Sequence, residues 1–283
     1  MRTIAWDLCI ALAAIVGFGA GYLLIDKTAG HYAVDATALP PVPENDLIRY
    51  GRDLVVDTPR YIGRSAQDPA MAYGGNDLAC QSCHLKAGLQ PYAAPFVSTA
   101  ATFPMMADNK VITLPDRINS CMTLGLNGKP LSEDSREMAA LLAYIKYLGK
   151  GTPEGVRLPG MGLRPIAFPE APPDSRRGIA VYRQHCASCH GQGGQGEAKL
   201  PPEVGYTVPP VWGPGSFNGA AGMGQTAYAA SYIRATMPVG VDYAEPILTV
   251  QEAWDVAAYI IANSHPIAPP EAGPEPETPE TPE

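Results

Sequence analysis

Charged side chains are scarce in this chain of 283 residues, of which Asp, Glu, Lys and Arg make up only 17%. The formal net charge is −8, and residues 271–283 contribute five glutamates but no Lys or Arg, so the remainder is close to neutral. A nucleic-acid-binding protein needs basic side chains clustered on one face. The sequence contains no such cluster, and we therefore predict no nucleic-acid partner.

Long apolar runs are also rare, and the one that stands out extends from Leu8 to Ile25. As a helix rising about 1.5 Å per residue it would reach roughly 27 Å, close to the hydrocarbon thickness of a bilayer. The apolar core of a signal peptide is shorter, about 7–15 residues, and precedes a cleavage site of small residues; here Asp26 and Lys27 follow instead. We predict that residues 1–28 anchor the chain on the periplasmic side of the bacterial inner membrane. The alternative is a cleaved signal peptide and a soluble periplasmic protein.

Cysteine is sparse as well, with six in the chain, yet four of them form two copies of one motif. The copies are Cys80-Gln81-Ser82-Cys83-His84 and Cys186-Ala187-Ser188-Cys189-His190. C-x-x-C-H is the attachment motif of c-type haem: the cysteines form thioethers to the two vinyl groups, and the histidine faces the iron as an axial ligand. A redox dithiol and a zinc site are the alternatives, but a zinc site of all four cysteines would leave both histidines unexplained. We predict two covalently bound haem c groups.

An internal repeat surrounds the two motifs. A short helical run precedes each one, at 50–55 and at 177–183, and an amphipathic helical pattern follows each one, at 139–149 and at 254–264. We expect Ser132 to cap the helix at 139–149, and Thr249 and Glu252 to form a capping box before the last helix. A helix, C-x-x-C-H, a loop and a C-terminal helix make up the cytochrome c plan, which appears twice.

The predicted fold class is all-α, with two tandem cytochrome c domains preceded by an N-terminal transmembrane helix. The predicted segments are an anchor or signal (1–28), a linker (29–44), domain 1 (45–155), a Pro-rich linker (156–174), domain 2 (175–265) and a disordered acidic tail (266–283).

Each haem iron bound by one histidine, His84 or His190, has a second axial position to fill. In domain 2 we favour Met237 as this second axial ligand, because Pro238 holds its loop extended. The alternative ligand is Met223, which lies in a glycine-rich run. In domain 1 the unpaired Cys121 is either a buried, inert thiol or a thiolate ligand that lowers the iron potential. The residues alone leave both interpretations of Cys121 open.

Three segments carry a family resemblance. They are Gly75–His84, Asp116–Cys121 with the following Asn127–Leu131, and Pro209–Asn218. They resemble the dihaem thiosulfate dehydrogenase (tetrathionate reductase) family over about residues 45–266, and the Arg-Ile-Asn-x-Cys element at 117–121 is specific to it. The resemblance implies that Cys121 is the distal ligand of a catalytic first haem and Arg117 an active-site arginine. It also implies that the second haem, with Met237, passes electrons onward.

The implied reaction joins two thiosulfate ions into tetrathionate and delivers two electrons to a soluble cytochrome or terminal oxidase. The family pattern continues Cys-x-x-Arg-Ser, whereas this chain has Leu124 and Gly125 at those positions. Because a charged hydrogen bond contributes about 1.5–3 kcal/mol, we expect a more apolar pocket with fewer contacts to a dianion. A non-catalytic, membrane-anchored electron-transfer cytochrome c is the alternative function.

Overall fold

The computed structural model of the protein describes residues 43–107 and 109–267. The predicted anchor or signal at 1–28 lies outside these ranges, as does most of the predicted acidic tail. Within the two ranges, no helix is both long enough and apolar enough to cross a membrane.

Helices dominate the described part of the chain. The α-helices are α1 (Pro43–Val56), α2 (Thr58–Tyr61), α3 (Leu85–Gly88), α4 (Leu114–Ser120), α5 (Arg136–Leu148), α6 (Ser175–His185), α7 (Ala187–His190), α8 (Thr226–Thr236) and α9 (Val250–Ala262). Short 3₁₀ turns lie at Pro69–Met71, Cys80–Ser82, Ala100–Thr102 and Gly222–Gly224, and a π-helical turn lies at Cys121–Gly125.

Two small antiparallel hairpins depart from the predicted all-α fold. Strand β1 (Met105–Ala107) pairs with β2 (Lys110–Ile112), and β3 (Glu197–Ala198) pairs with β4 (Tyr206–Val208). Strand prediction relies on alternation over about 4–8 residues. These strands are only two or three residues long, which is too short to show that pattern.

Each domain is built around a pair of helices that cross at a glycine. Helix α1 packs against α5, and α6 packs against α9; the sequence repeat predicts these four helices, and the structure adds how they pair. A Cβ on Gly51 would lie 2.0 Å from the carbonyl oxygen of Ala140, and one on Gly178 would lie 2.1 Å from that of Asp255. The absence of a side chain at these two positions therefore allows the helix backbones to meet.

The helix caps differ from expectation at one point. Ser135, and not Ser132, caps α5: its Oγ accepts a hydrogen bond from the Met138 amide at 3.1 Å. Ser132 instead supplies the carbonyl that accepts from the Ser135 hydroxyl at 2.7 Å. Both serines suit a cap, and the turn between them selects the second. The predicted capping box of α9 is confirmed, with Thr249 and Glu252 bonded reciprocally.

Two hydrophobic cores lie beneath the two helix pairs, and the domains share contacts between them. The first core includes Leu54 and Tyr144, and the second includes Tyr182 and Val256. Phe217 and Ala221 from the second half of the chain are buried in the first core. The two domains are therefore joined by buried apolar surface as well as by the linker.

Candidate functional site

The first C-x-x-C-H motif follows α1 and is held by a buried threonine. The Thr58 Oγ1 donates to the Leu54 carbonyl at 2.6 Å and accepts from the Cys80 amide at 2.9 Å. The same oxygen lies 3.4 Å from the Cys80 sulfur. Thr58 is fully buried, so it fixes the start of the motif relative to the core helix. Sequence reasoning missed this residue, because a threonine after a helix has many ordinary roles.

His84 has the tautomer that an axial ligand needs. Its Nδ1 donates to the Ala94 carbonyl at 2.7 Å, which leaves the Nε2 lone pair available for iron. The ring packs against Phe96 with 4.5 Å between centroids. Burial lowers the pKa of His84, so the imidazole stays neutral at pH 7.

The second motif repeats this arrangement in an aromatic setting. His190 Nδ1 donates to the Pro209 carbonyl at 2.9 Å, and burial lowers the pKa of His190. The Tyr182 hydroxyl donates to the Gly191 carbonyl at 2.7 Å, and the Tyr182 ring lies 4.9 Å from that of Trp212. Both histidines are thus oriented by a backbone carbonyl, as ligating histidines usually are.

Cys121 begins a π-helical turn directly after α4, and its carbonyl accepts from the Leu126 amide at 3.0 Å. Such turns inside helices occur frequently at functional sites. Burial raises the pKa of the Cys121 thiol, and the positive charge of Arg117 opposes that shift. Burial also raises the pKa of Cys83 to about 12, and the charge of Cys121 adds to the effect. Cys121 therefore lies within electrostatic reach of the first haem motif.

Arg117 is exposed and precedes Cys121 by one helical turn. After burial, which is the main cause, its charge contributes to the lowered pKa of His84. The structure thus brings the predicted residues of the first site together: Cys80, Cys83, His84, Arg117 and Cys121. Of these, Arg117 is the one that is exposed, whereas the other four are half-buried, so a dissolved anion can approach its guanidinium.

The remaining residues of the Arg-Ile-Asn-x-Cys element have structural roles. Ile118 packs against the first core. The Asn119 side chain donates to the Leu131 carbonyl at 3.0 Å and accepts from the Leu131 amide at 2.8 Å. These two bonds fix the end of α4 against the segment before α5, and hence the start of the turn that carries Cys121.

The end of that turn carries no charged side chain. Leu124 is half-buried and packs against the first core. At Gly125, a Cβ would meet no atom within 4 Å. The position at which the family pattern has arginine is therefore apolar. The position at which it has serine has no protein atom close to it.

Two methionines approach the second core. Met237 follows the last residue of α8, and Met223 lies in the 3₁₀ turn at Gly222–Gly224. Both are half-buried against the second core, and Met223 also contacts the first core. Met237 remains our predicted ligand of the second haem, with Met223 as the alternative.

The described residues fit two haem c groups. None of the four cysteines of the two motifs forms a disulfide, so each sulfur is available for a thioether bond. Among residues 43–107 and 109–267, no group of three or more His, Cys, Asp or Glu side chains could hold a bare metal ion. The Nε of Arg234 in α8 is buried and lacks a hydrogen-bond partner within the same ranges. A carboxylate such as a haem propionate would satisfy that donor.

A contact between the domains was not foreseen from the sequence. Tyr232 in α8 is buried, and its hydroxyl donates to the Cys83 carbonyl at 3.0 Å. A buried tyrosine on a helix is indistinguishable in sequence from an ordinary core residue. The backbone of the first haem motif is therefore held in part by the second domain.

Comparison with known proteins identifies a cytochrome c domain in each half of the chain. Two family models match: "SoxA/TsdA, cytochrome c domain" over residues 70–153 and "Cytochrome c" over residues 175–263. A thiosulfate dehydrogenase of Thiomonas intermedia (strain K12) is 37% identical over 231 residues, which span 80% of this chain and 69% of that protein. One from Allochromatium vinosum is 37% identical over 238 residues, or 82% and 83% of the two proteins.

A solved structure extends the likeness to three dimensions. The as-isolated thiosulfate dehydrogenase (TsdBA) from Marichromatium purpuratum has a TM-score of 0.76 and 33% identity, with 88% of this chain covered. The chain spans about half of that protein, 52% of its length. From these matches and the two C-x-x-C-H sites, the chain belongs to the dihaem thiosulfate dehydrogenase family of c-type cytochromes and carries two covalently bound haem c groups.

Proposed function

We propose that this protein oxidises thiosulfate to tetrathionate at the first haem site and passes the electrons through the second haem to a cytochrome or terminal oxidase. The observation that carries the proposal is the position of the Arg117–Cys121 segment beside the first haem motif: the backbone amides of Gly75 and Asn76, just before that motif, donate to the Leu126 carbonyl at the end of the Cys121 turn, at 2.8 and 3.1 Å. A cation that meets solvent and a sulfur ligand at one haem are the parts needed to bind and oxidise a small sulfur oxyanion.

The reaction balances without a further reactant. A new S–S bond forms between the outer sulfur atoms of two thiosulfate ions, and two electrons leave. The two ferric haems, when bound, supply two one-electron oxidising equivalents. The planar guanidinium of Arg117 suits the sulfonate oxygens of the substrate, so its role is to bind and orient the dianion beside Cys121.

Different iron ligands would give the two haems different reduction potentials. We assign His84 and Cys121 to the first iron, where a thiolate lowers the potential, and His190 and Met237 to the second, where methionine raises it. That order favours electron flow from the first haem to the second. The long apolar segment at 8–25 supports a periplasmic location with a membrane anchor, in reach of a soluble cytochrome or a terminal oxidase.

The direct test is reduction of the purified holoprotein by its substrate. Thiosulfate should reduce the haems, followed by their visible absorption bands, and tetrathionate should oxidise the reduced protein. If neither ion changes the spectrum while dithionite reduces both haems, thiosulfate is not the substrate.

A second candidate function is electron transfer without catalysis. It is favoured by Leu124 and Gly125, which leave the turn after Cys121 without a charged side chain. Under this alternative the haems exchange electrons with protein partners, and thiosulfate has no effect on their spectrum.

Restoring the polar side chains of the family pattern should raise activity. The double variant Leu124→Arg, Gly125→Ser would add contacts to a dianion, each worth about 1.5–3 kcal/mol. The polypeptide itself does not oppose the serine, because no protein atom lies within 4 Å of a Cβ at this position. We expect kcat/KM for thiosulfate to rise roughly tenfold or more, at about 1.4 kcal/mol per factor of ten. A double variant with normal haem content and unchanged kcat/KM would show that these positions do not contact substrate.

Removing Arg117 should have the opposite effect. Loss of one charged hydrogen bond predicts a fall in kcat/KM of roughly 10- to 100-fold for Arg117→Ala. Arg117→Lys keeps the positive charge but loses the planar guanidinium, so its kcat/KM should lie between those of the wild type and Arg117→Ala. Arg183→Ala, at an exposed arginine on α6 of the other domain, is the control. Equal kinetics for Arg117→Ala and Arg183→Ala would remove Arg117 from the site.

A further inference from the structure

A loop of the second domain reaches the turn that carries Cys121. The loop starts at Pro209, whose carbonyl holds His190, and the Ser216 hydroxyl donates to the Pro210 carbonyl at 3.2 Å. Phe217, the next residue, is buried in the first core. We call residues 209–218 the bridging loop.

Two asparagines of the first domain donate to one carbonyl of the bridging loop. Asn76 Nδ2 lies 3.1 Å and Asn127 Nδ2 lies 2.8 Å from the Ser216 carbonyl oxygen. Asn76 Nδ2 also lies 3.2 Å from the Gly125 carbonyl oxygen, and its Oδ1 accepts from the Leu78 amide at 3.1 Å. Asn76 is fully buried, so these bonds form away from water.

The bridging loop also bonds directly to the turn at Cys121–Gly125. The Asn218 amide donates to the Leu124 carbonyl at 3.0 Å. The last carbonyls of a helical segment have no partner within it. Here the carbonyls of Leu124 and Gly125 are satisfied by Asn218 and Asn76, so the end of the turn is fixed by groups outside it.

We propose that the second domain positions Cys121 as the distal ligand of the first haem, through the bridging loop and with Asn76 and Asn127 as positioning residues. The inference rests on the ligation of Cys121 in the proposed function. Asn119 holds the start of the turn to Leu131, and the bridging loop holds its end. The Cys121 sulfur is therefore oriented by both domains. If the turn is loosened, an added ligand should displace Cys121 from the iron more easily.

Asn127 provides a selective test. Its φ is +52°, a conformation that glycine adopts freely, so Asn127→Gly keeps the backbone and removes the donor to Ser216. Its Oδ1 is buried with no partner in the described ranges, so removing the side chain breaks no bond of that atom. The bond lost is the one from Nδ2 to the Ser216 carbonyl, which keeps its other hydrogen bond, from Asn76.

The measurement is cyanide binding to the ferric holoprotein, followed by loss of the low-spin thiolate signal in low-temperature EPR. Groups that orient a metal ligand typically affect affinity about 10- to 100-fold. In Asn127→Gly we therefore expect cyanide to displace Cys121 with an apparent Kd at least about tenfold lower than in the wild type. Asn127→Asp, whose ionised carboxylate can only accept hydrogen bonds, should shift the Kd in the same direction at a pH at which it is ionised, and it serves if the glycine variant does not accumulate.

Asp57→Asn is the matched control, because it weakens another contact between the domains, Asp57 with Lys199 at 3.2 Å, away from the turn. It should leave the cyanide Kd unchanged. A wild-type EPR spectrum without a thiolate signal would overturn the ligation of Cys121 and this inference with it. A wild-type thiolate signal, with the same cyanide Kd in the wild type and the Asn127 variants, would overturn the inference alone.

Discussion

Cys121→Gly should abolish the low-spin thiolate EPR signal of the first haem and leave the signal of the second haem in place. The variant should also lose thiosulfate oxidation by roughly 100-fold or more, because the group that tunes the first iron is removed. Low-temperature EPR of the ferric protein and steady-state kinetics with thiosulfate check the two parts.

The expectation follows from where Cys121 lies. Burial raises the pKa of this thiol although Arg117 opposes the shift, so without a metal it would be neutral at pH 7. A thiolate at this position therefore needs iron to hold its charge, since a coordinated thiol is deprotonated outright. A thiolate signal in the wild type would thus report coordination directly.

Two further variants separate ligation from a general disturbance of the turn. Cys121→Met keeps a sulfur ligand without the negative charge, and should raise the potential of the first haem. Thr123→Ala is the control, because Thr123 lies in the same turn as Cys121 and its hydroxyl bonds that turn to α4, donating to the Asn119 carbonyl at 3.1 Å. An EPR spectrum of Cys121→Gly that matches those of the wild type and Thr123→Ala would exclude Cys121 as a ligand.

The sequence predicts well those features that depend on residues close together in the chain. The helix pairs follow from apolar residues at helical spacing, and the capping box of Thr249 and Glu252 follows from two residues three apart. The C-x-x-C-H motifs have the same local character. These features depend on neighbouring residues, so their physical cause can be recognised within a single segment.

The contacts that connect the two sites could not be predicted in this way. Asn76 and Ser216 are 140 positions apart, and Tyr232 and Cys83 are 149 apart. Nothing in the local pattern of Asn76 indicates a partner, because the bond exists only once both domains have packed. Ser132 shows the same limit on a smaller scale, since the choice of Ser135 as the cap depends on the turn between them.

The second large effect is expected at the glycines where the core helices cross. Gly51→Ala places a methyl group 2.0 Å from the Ala140 carbonyl oxygen, and Gly178→Ala places one 2.1 Å from that of Asp255. In an exposed helix, alanine would stabilise by up to about 1 kcal/mol relative to glycine. Here two backbones must separate, and overpacking of this kind costs about 1–3 kcal/mol or more. We expect each variant to lower Tm by at least about 5 °C.

The two variants should also act on different haems. Because α1 and α5 build the first core and α6 and α9 the second, Gly51→Ala should deplete the thiolate EPR signal first, and Gly178→Ala the other low-spin signal. Gly219→Ala is the control, because its Cβ would meet no atom closer than 3.7 Å. Thermal unfolding of the three holoproteins, with haem content per chain, makes the comparison. If all three melt together, the close approach of the helices is not what limits stability; if both signals fall equally in both variants, the two domains unfold as one unit.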